Sequence, residues 1–315
     1  MGQLNFYFMI FKMDFVTDEI REELPRIKND LRRKGYCIIH NVLTEDEIEF
    51  CRDEFSEWVY SSDQILEKHH KINPHGIFKY FEAAHQRFAW YIRTRPKVIG
   101  YFQGILDSTN VTVSFDSCCY MESDYVEKEK CWTHTDQASN KDGWKCYQGF
   151  VSLTNNKNKS LMLYEGSHKM HKKYFEDRNI SNSNDWNLIE ESFLDEIKDR
   201  KKLLNVPKGS LVLWDSRTFH QNYTTPGSRE TRFVQYVCFL NKDFLTKNMR
   251  DKKLKYFADR RATNHWPYPV KVISKQPRTF GNDALLVNYE DLKIPTYDDL
   301  DVDGTPIMEV IDSII

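Results

Sequence analysis

Lys208-Gly209-Ser210-Leu211-Val212-Leu213-Trp214-Asp215-Ser216-Arg217-Thr218-Phe219-His220 opens on a Lys-Gly turn, runs through four consecutive apolar residues and ends on a histidine. Four apolar residues bounded by turn residues read as a buried strand. Comparable runs lie at 111–115, on to Tyr120 and Met121, and at 146–153, 160–164 and 231–240. Polar turns separate them, among them residues 155–159 and Pro226-Gly227. Several short strands in one region predict an antiparallel sandwich or barrel.

Outside this region the texture is helical. Residues 17–34 form a charged amphipathic stretch, expected as a helix interrupted at Pro25 and stopped by Gly35. Residues 36–40 read as a short strand. Thr44 and Glu47 make a capping box, behind which Ile48, Cys51, Phe55, Trp58 and Val59 share one helical face. Residues 68–85 read as loop and residues 88–106 as helix. Residues 174–202 are a charged insert, expected to be helical and to hang between two strands. Helical spacing returns after Leu240 to about Arg261. The remainder, 265–315, lacks the apolar density of a second core, so residues 1–315 are expected to form one domain with 241–315 as an extension packed on it. The acidic stretch 289–315 suggests a partner or a lid.

Composition narrows the class. The 315 residues are 40% hydrophobic and 14% aromatic, enough for a sizeable core. Charged residues are 29% with a formal net charge of −2, so no basic footprint for nucleic acid and no polybasic membrane patch is present. The lysine-rich run 247–255 is broken by acids and aromatics and reads as a solvated helix face. Seven scattered cysteines suggest free thiols and a reducing, cytoplasmic setting. Of the neighbours Cys118 and Cys119, strand alternation should place one in a core and leave the other outside it. The apolar run 4–12 is too short to span a bilayer and lacks the marks of a signal peptide, and Gly2 is followed by Phe6 where myristoylation favours Ser or Thr. No Gly-rich phosphate loop and no nucleophile elbow is found.

The chemistry-bearing stretch is Cys131-Trp132-Thr133-His134-Thr135-Asp136-Gln137. On an extended chain residues two apart point the same way, so His134 and Asp136 can converge on one ion. His220, at the end of the apolar run quoted first, supplies a second imidazole. Two histidines and a carboxylate on one face of a metal form the facial triad of non-haem Fe(II) oxygenases. Such a triad leaves room for a bidentate 2-oxo acid and for O2. The far carboxylate of 2-oxoglutarate calls for an arginine, whose planar fork matches it. Arg232 heads the run 232–240 and shares a strand face with Val234, Tyr236 and Cys238; Arg229, in the preceding turn, is its rival. Arg232 paired with Glu230 or another acid is the bland alternative. Cys131 with His134 would suit zinc only if further cysteines or histidines clustered there.

These segments in this order resemble the phytanoyl-CoA dioxygenase family of 2-oxoglutarate oxygenases. The resemblance covers about residues 31–240. It rests on the opening 34–48, on His134-Thr135-Asp136, on Ser160 to the turn Gly166-Ser167-His168, on the run 208–220, and on Arg232. The chain departs from the family pattern at Thr154, at Asn158-Lys159 and at Glu165, which bear on turns and substrate rather than on ligands. The resemblance implies a double-stranded β-helix (jelly-roll or cupin-like) core from about residue 111, mainly β with flanking helices. It implies Fe(II) on His134, Asp136 and His220, 2-oxoglutarate on Arg232, and hydroxylation with release of succinate and CO2. A carboxylate ligand at Asp136 favours hydroxylation over halogenation. Tyr120 is a candidate to add a hydroxyl to the 2-oxoglutarate site, with core packing the alternative. Phe150, Trp132 and Trp214 read as core, Thr135 and Asn222 as supports of the ligands, His168 as a loop-fixing residue and His171 as solvent-exposed. The expected substrate is a small molecule. An inactive jelly-roll binding scaffold and an oxygenase of macromolecules are the competing readings.

Overall fold

In the computed structural model, which describes residues 13–125 and 131–315, the strand-like runs become two facing antiparallel sheets. Gly2 and the run 4–12 lie outside the described residues. The strands, in chain order, are β1 Tyr36–Ile39, β2 Val111–Val113, β3 Cys118–Met121, β4 His134–Thr135, β5 Tyr147–Ser152, β6 Lys159–Tyr164, β7 Asn187–Leu188, β8 Lys201–Leu203, β9 Leu211–Asp215, β10 His220–Thr224, β11 Arg232–Asn241, β12 Asp301–Val302 and β13 Thr305–Pro306. The larger sheet has the order β1-β9-β5-β11-β2, with β3 also on β11; the smaller has the order β7-β4-β10-β6-β8. From β3 to β11 the chain crosses repeatedly from one sheet to the other, which is the winding of a double-stranded β-helix. The fold is mainly β with flanking helices.

Three apolar layers follow from strand alternation. Between the sheets lie Cys119, Met121, Phe150, Leu161, Leu163, Val212, Trp214 and Val234. The outer face of the larger sheet, with Val151, Leu211, Leu213, Phe233, Val237 and Phe239, is covered by helices. These are α1 Asp18–Lys34, α2 Glu45–Val59, α3 Gln64–Ile72, α4 Arg87–Arg93 and α5 Pro96–Leu106. The outer face of the smaller sheet is covered by the insert, through Tyr174 and Phe175 of α6 His171–Asp177 and Leu194 of α7 Glu191–Glu196. Cys118 and Cys119 do point to opposite faces, but both faces are covered, so both thiols are buried.

Several sequence expectations change. α1 runs unbroken through Pro25, because that residue faces solvent while Ile20, Ile27 and Leu31 bury the opposite stripe. Packing of that stripe outweighs one lost backbone bond. The helix does end at Gly35, whose left-handed φ of 85° lets its N–H donate to Leu31 O. Residues 64–72, half of them expected as loop, form α3, which buries Ile65 and His69 one turn apart. The helix expected over 88–106 is two helices, broken where Pro96 forces Arg95 into extended backbone. The insert also contributes β7 and β8, which extend both edges of the smaller sheet. The C-terminal extension carries α8 Lys247–Ala258 and α9 Ile307–Ile314, and Ile307, Val310, Ile311 and Ile314 join the main core. No helix among the described residues is long and apolar enough to cross a membrane.

Candidate active site

β4 and β10 are neighbours in the smaller sheet, with His220 directly opposite His134. Directly opposed residues project on the same face, and the two imidazole centroids lie 4.5 Å apart. Asp136, two residues past His134, is held by its N–H donating to Ser216 O at 3.0 Å. Its Oδ2 lies 3.5 Å from His134 Nε2 and 3.3 Å from His220 Nε2. One donor atom from each residue falls within a 4.8 Å cluster, the arrangement a single metal ion needs.

The hydrogen bonds behind the cluster fix which atoms face inwards. His134 Nδ1 lies 3.0 Å from Trp132 O, and His220 Nδ1 lies 2.8 Å from Thr218 O. A carbonyl only accepts, so both Nδ1 atoms carry the proton and both Nε2 lone pairs are free to ligate. Gln148, on β5 of the facing sheet, donates to Asp136 Oδ2 at 3.0 Å. Thr135 does support the loop, through Oγ1 donating to Ser216 O. Burial pushes the Asp136 carboxyl up, but His134, His220 and His265 outweigh it and hold the group well below the usual carboxylate range. Burial, then the charge of His134, pushes His220 down, partly offset by Asp136 and Thr218 O. A carboxylate and a neutral imidazole are the forms that bind a cation.

Arg232 is wholly buried at the head of β11, on the face that looks between the sheets. Its Nη2 donates to Asn222 Oδ1 at 3.2 Å, while Nε and Nη1 have no partner. The guanidinium also stands over the Phe150 ring at 4.9 Å. Its bland alternative fails, because the Glu230 carboxylate accepts the backbone N–H groups of Lys157, Asn158 and Lys159. The rival Arg229 is exposed in its turn. The equally buried Arg93 differs, having the Ala84 and Asp116 carbonyls as acceptors. Arg232 is therefore a buried fork with two unused donors, the feature a carboxylate ligand would complete.

Tyr120 does not join this group. The register pairs Arg232 with Met121 and Phe233 with Tyr120, so Tyr120 shares the outward face. Its ring packs on Phe55 and Phe233 under α2. Tyr236 stands on the inward face instead, with its hydroxyl 3.5 Å from Asn222 Nδ2. His171 is buried rather than exposed, with Nε2 2.9 Å from Gln137 O. His168 closes its turn against Arg32 O. Cys131 lies beside Thr133 and Gln221 and joins no metal-binding group among the described residues.

A cavity of about 290 Å³ opens over the cluster. Asn222, Tyr236, Leu161 and Trp214 are among its lining residues. The lining also includes residues the sequence did not single out: Asp116, Trp186, Asn264, His265 and Ile273. The extension reaches the site because Thr263 N–H donates to Phe115 O at 2.9 Å. No periodicity marks such residues, since they meet the site only through tertiary contacts. Burial alone would push His265 down, but the Cys146 thiol and the charges of Asp136, Cys146 and Asp116 raise it to about 8.

Comparison with known proteins gives distant likenesses. No protein-family model matches the chain. Ava biosynthesis cluster protein O of Aspergillus versicolor is 24% identical over 267 residues, covering 76% of this chain and 85% of that protein. Among solved structures, the epimerase SnoN in complex with Fe3+, alpha ketoglutarate and nogalamycin RO has a TM-score of 0.48 at 13% identity, over 70% of this chain and 84% of that one. EctD from S. alaskensis with 2-oxoglutarate and 5-hydroxyectoine has a TM-score of 0.47 at 14% identity, over 73% and 78%.

Proposed function

We propose that this protein is an Fe(II)- and 2-oxoglutarate-dependent oxygenase that hydroxylates a small molecule. The observation that carries the reading is the pairing of two features in one interior. Three metal-donor groups converge on a cavity that Asn222 also lines, and the buried arginine bonded to Asn222 keeps two donors without an acceptor. Its ordered motifs support placing it among the phytanoyl-CoA dioxygenase-like enzymes. The name of the fungal relative, a biosynthesis cluster protein, supports a small-molecule substrate.

Fe(II) and 2-oxoglutarate, when bound, supply the oxidising chemistry, with succinate and CO2 as co-products. His134 and His220 offer their Nε2 lone pairs because Trp132 O and Thr218 O occupy their Nδ1 protons. Gln148 donates to Asp136 Oδ2, the oxygen nearest both imidazoles, and so orients the carboxylate towards them. Arg232 receives the far carboxylate, with Asn222 fixing its fork and Tyr236 behind Asn222. The Phe150, Trp214 and Leu161 side chains keep that end dry, which strengthens a charged pair.

Anaerobic titration of the purified protein with Fe(II) and then 2-oxoglutarate tests this. A weak visible charge-transfer band of the Fe(II)–2-oxo acid chelate is expected. His134→Ala should abolish it and Arg232→Ala should weaken it. No metal uptake and no band in folded wild type would overturn the reading and favour a jelly-roll binding scaffold.

A further inference from the structure

Two tryptophans that line the cavity stand beside the His134 ring. Trp132 stacks on the His134 ring with centroids 5.1 Å apart and planes within 15°. Trp186, from the insert, stands 5.6 Å from the same ring. Trp132 also stacks with His75, ring centroids 3.9 Å apart. Trp186 is 52% exposed although it lines the cavity. Trp186 thus offers an aromatic face at the edge of the cavity on which a ring can stack. Its position is set by its neighbour: Asp185 is buried, accepts from Ala138 N–H and pairs with Lys141 at 2.6 Å and Lys271 at 2.7 Å. The Lys271 pair ties the insert to the extension and the Lys141 pair ties it to the segment after β4, so the rim is a built edge.

The extension contributes Thr263, Asn264 and His265 to the cavity wall, with Ile273 beside them. His265 is 9% exposed, lines the cavity, and its Nε2 is buried with no hydrogen-bond partner. Its Nε2 is a donor in the imidazolium form and in one of the two neutral tautomers. Trp132 Nε1, another donor of a cavity-lining residue, is also without a partner. Buried donors left unmatched call for acceptors. The cavity volume of about 290 Å³ lies at the low end for small-molecule sites. The co-substrate must share that space, so only the reacting end of a substrate fits inside.

We propose that the substrate is a flat, fused-ring molecule bearing a carbonyl or phenolic oxygen, with its ring body lying on Trp186 at the rim and its oxygen accepting from His265. This deepens the oxygenase reading and rests on it for the reaction, although the binding it describes does not need the metal. Trp186 and His265 are substrate-positioning residues in this scheme. Ile77 and Ile273 supply apolar contacts beside them.

Two soluble probes separate the ring from the oxygen: 1-tetralone has both, and tetralin has the ring alone. Their affinities are measured by saturation-transfer NMR on the full-length protein, anaerobically, with and without Fe(II) and 2-oxoglutarate. Wild type should bind 1-tetralone roughly fivefold tighter than tetralin, the worth of one net hydrogen bond. Trp186→Ala should weaken both probes by roughly three- to tenfold, the worth of one aromatic contact. Because Trp186 is exposed, this variant keeps its fold. Trp144→Ala, at another exposed tryptophan off the cavity, should change neither affinity. His265→Phe should bring the two probes to parity while tetralin binding persists. Equal affinity of the probes for wild type, unchanged binding in Trp186→Ala, or no binding to folded wild type at millimolar concentration would overturn the proposal. Metal-independent probe binding in a protein that takes up no Fe(II) would sink the oxygenase reading and leave the pocket assignment standing.

Discussion

The buried Arg232 guanidinium forms no salt bridge among the described residues and leaves Nε and Nη1 without partners. An uncompensated buried charge destabilises a fold by several kcal/mol, and an apolar side chain of similar volume removes that cost. Arg232→Met is therefore expected to stabilise the ligand-free protein by about 1–3 kcal/mol in urea unfolding, while 2-oxoglutarate no longer raises its melting temperature. A less stable Met variant would mean the guanidinium is already satisfied. The same residue shows what a sequence can disclose at this scale. His134 and Asp136 are two apart on an extended segment, and Arg232 heads an apolar strand, so residue type and spacing alone suggested the group. Tyr120 was misplaced because its direction depends on the pairing of β3 with β11, and a one-residue shift of register reverses every side chain. His171 was misplaced because a histidine's burial depends on the acceptor it finds, here Gln137 O, which spacing does not encode.

At the scale of elements, the junction of α1 and β1 carries more than a turn. Gly35 ends the helix in a left-handed conformation, and a Cβ there would lie 2.4 Å from His168 Nδ1 and 2.9 Å from Thr218 Oγ1. Thr218 Oγ1 donates to Gly35 O, and Thr218 O holds His220 in its ligating orientation. Gly35→Ala should therefore destabilise the protein by about 2–4 kcal/mol, combining backbone strain with overpacking. Because the displaced neighbours lead to His220, Fe(II) affinity should fall as well. Thermal unfolding and metal titration of the variant check both, and full retention of metal affinity would uncouple the junction from the site. Strands and caps were legible because their signals are local: the Thr44 capping box forms as written, with Thr44 N–H donating to Glu47 and Glu47 N–H to Thr44. The continuity of α1 through Pro25 and the existence of α3 were not, because tertiary burial of Ile20, Ile27, Leu31, Ile65 and His69 decided them.

At the scale of the whole molecule, the C-terminal extension, expected from the sequence to pack on the domain, supplies part of the core. Ile307, Val310, Ile311 and Ile314 of α9 are buried in the main core beside β2. Burial of four such side chains contributes on the order of 6–12 kcal/mol, against a typical net stability of about 5–15 kcal/mol. A chain ending at Gly304 should accordingly fail to fold, and a truncated protein melting with full-length cooperativity would show the extension to be separable. Acid should act on the whole core as well. Burial, with the charge of His70, lowers His69 to about 3, and burial, with the charge of Arg93, lowers His85 to about 3. His85 has its neutral form fixed, since Nδ1 accepts from Trp90 Nε1 and Nε2 faces Arg261 O. For a histidine whose folded pKa lies below its unfolded value, the unfolded chain binds the extra proton first. Stability from these groups is thus complete above about pH 6.5 and declines as pH falls towards 3. Each unit of that descent removes at most about 1.4 kcal/mol per histidine, so by pH 5 the two together remove up to about 4 kcal/mol. The urea midpoint should fall clearly between pH 7 and pH 5, and the fall should shrink in a folded His69→Gln variant. A midpoint that stays level over that range would mean the two imidazoles take up protons without leaving their packed positions against Tyr120 O and Arg261 O.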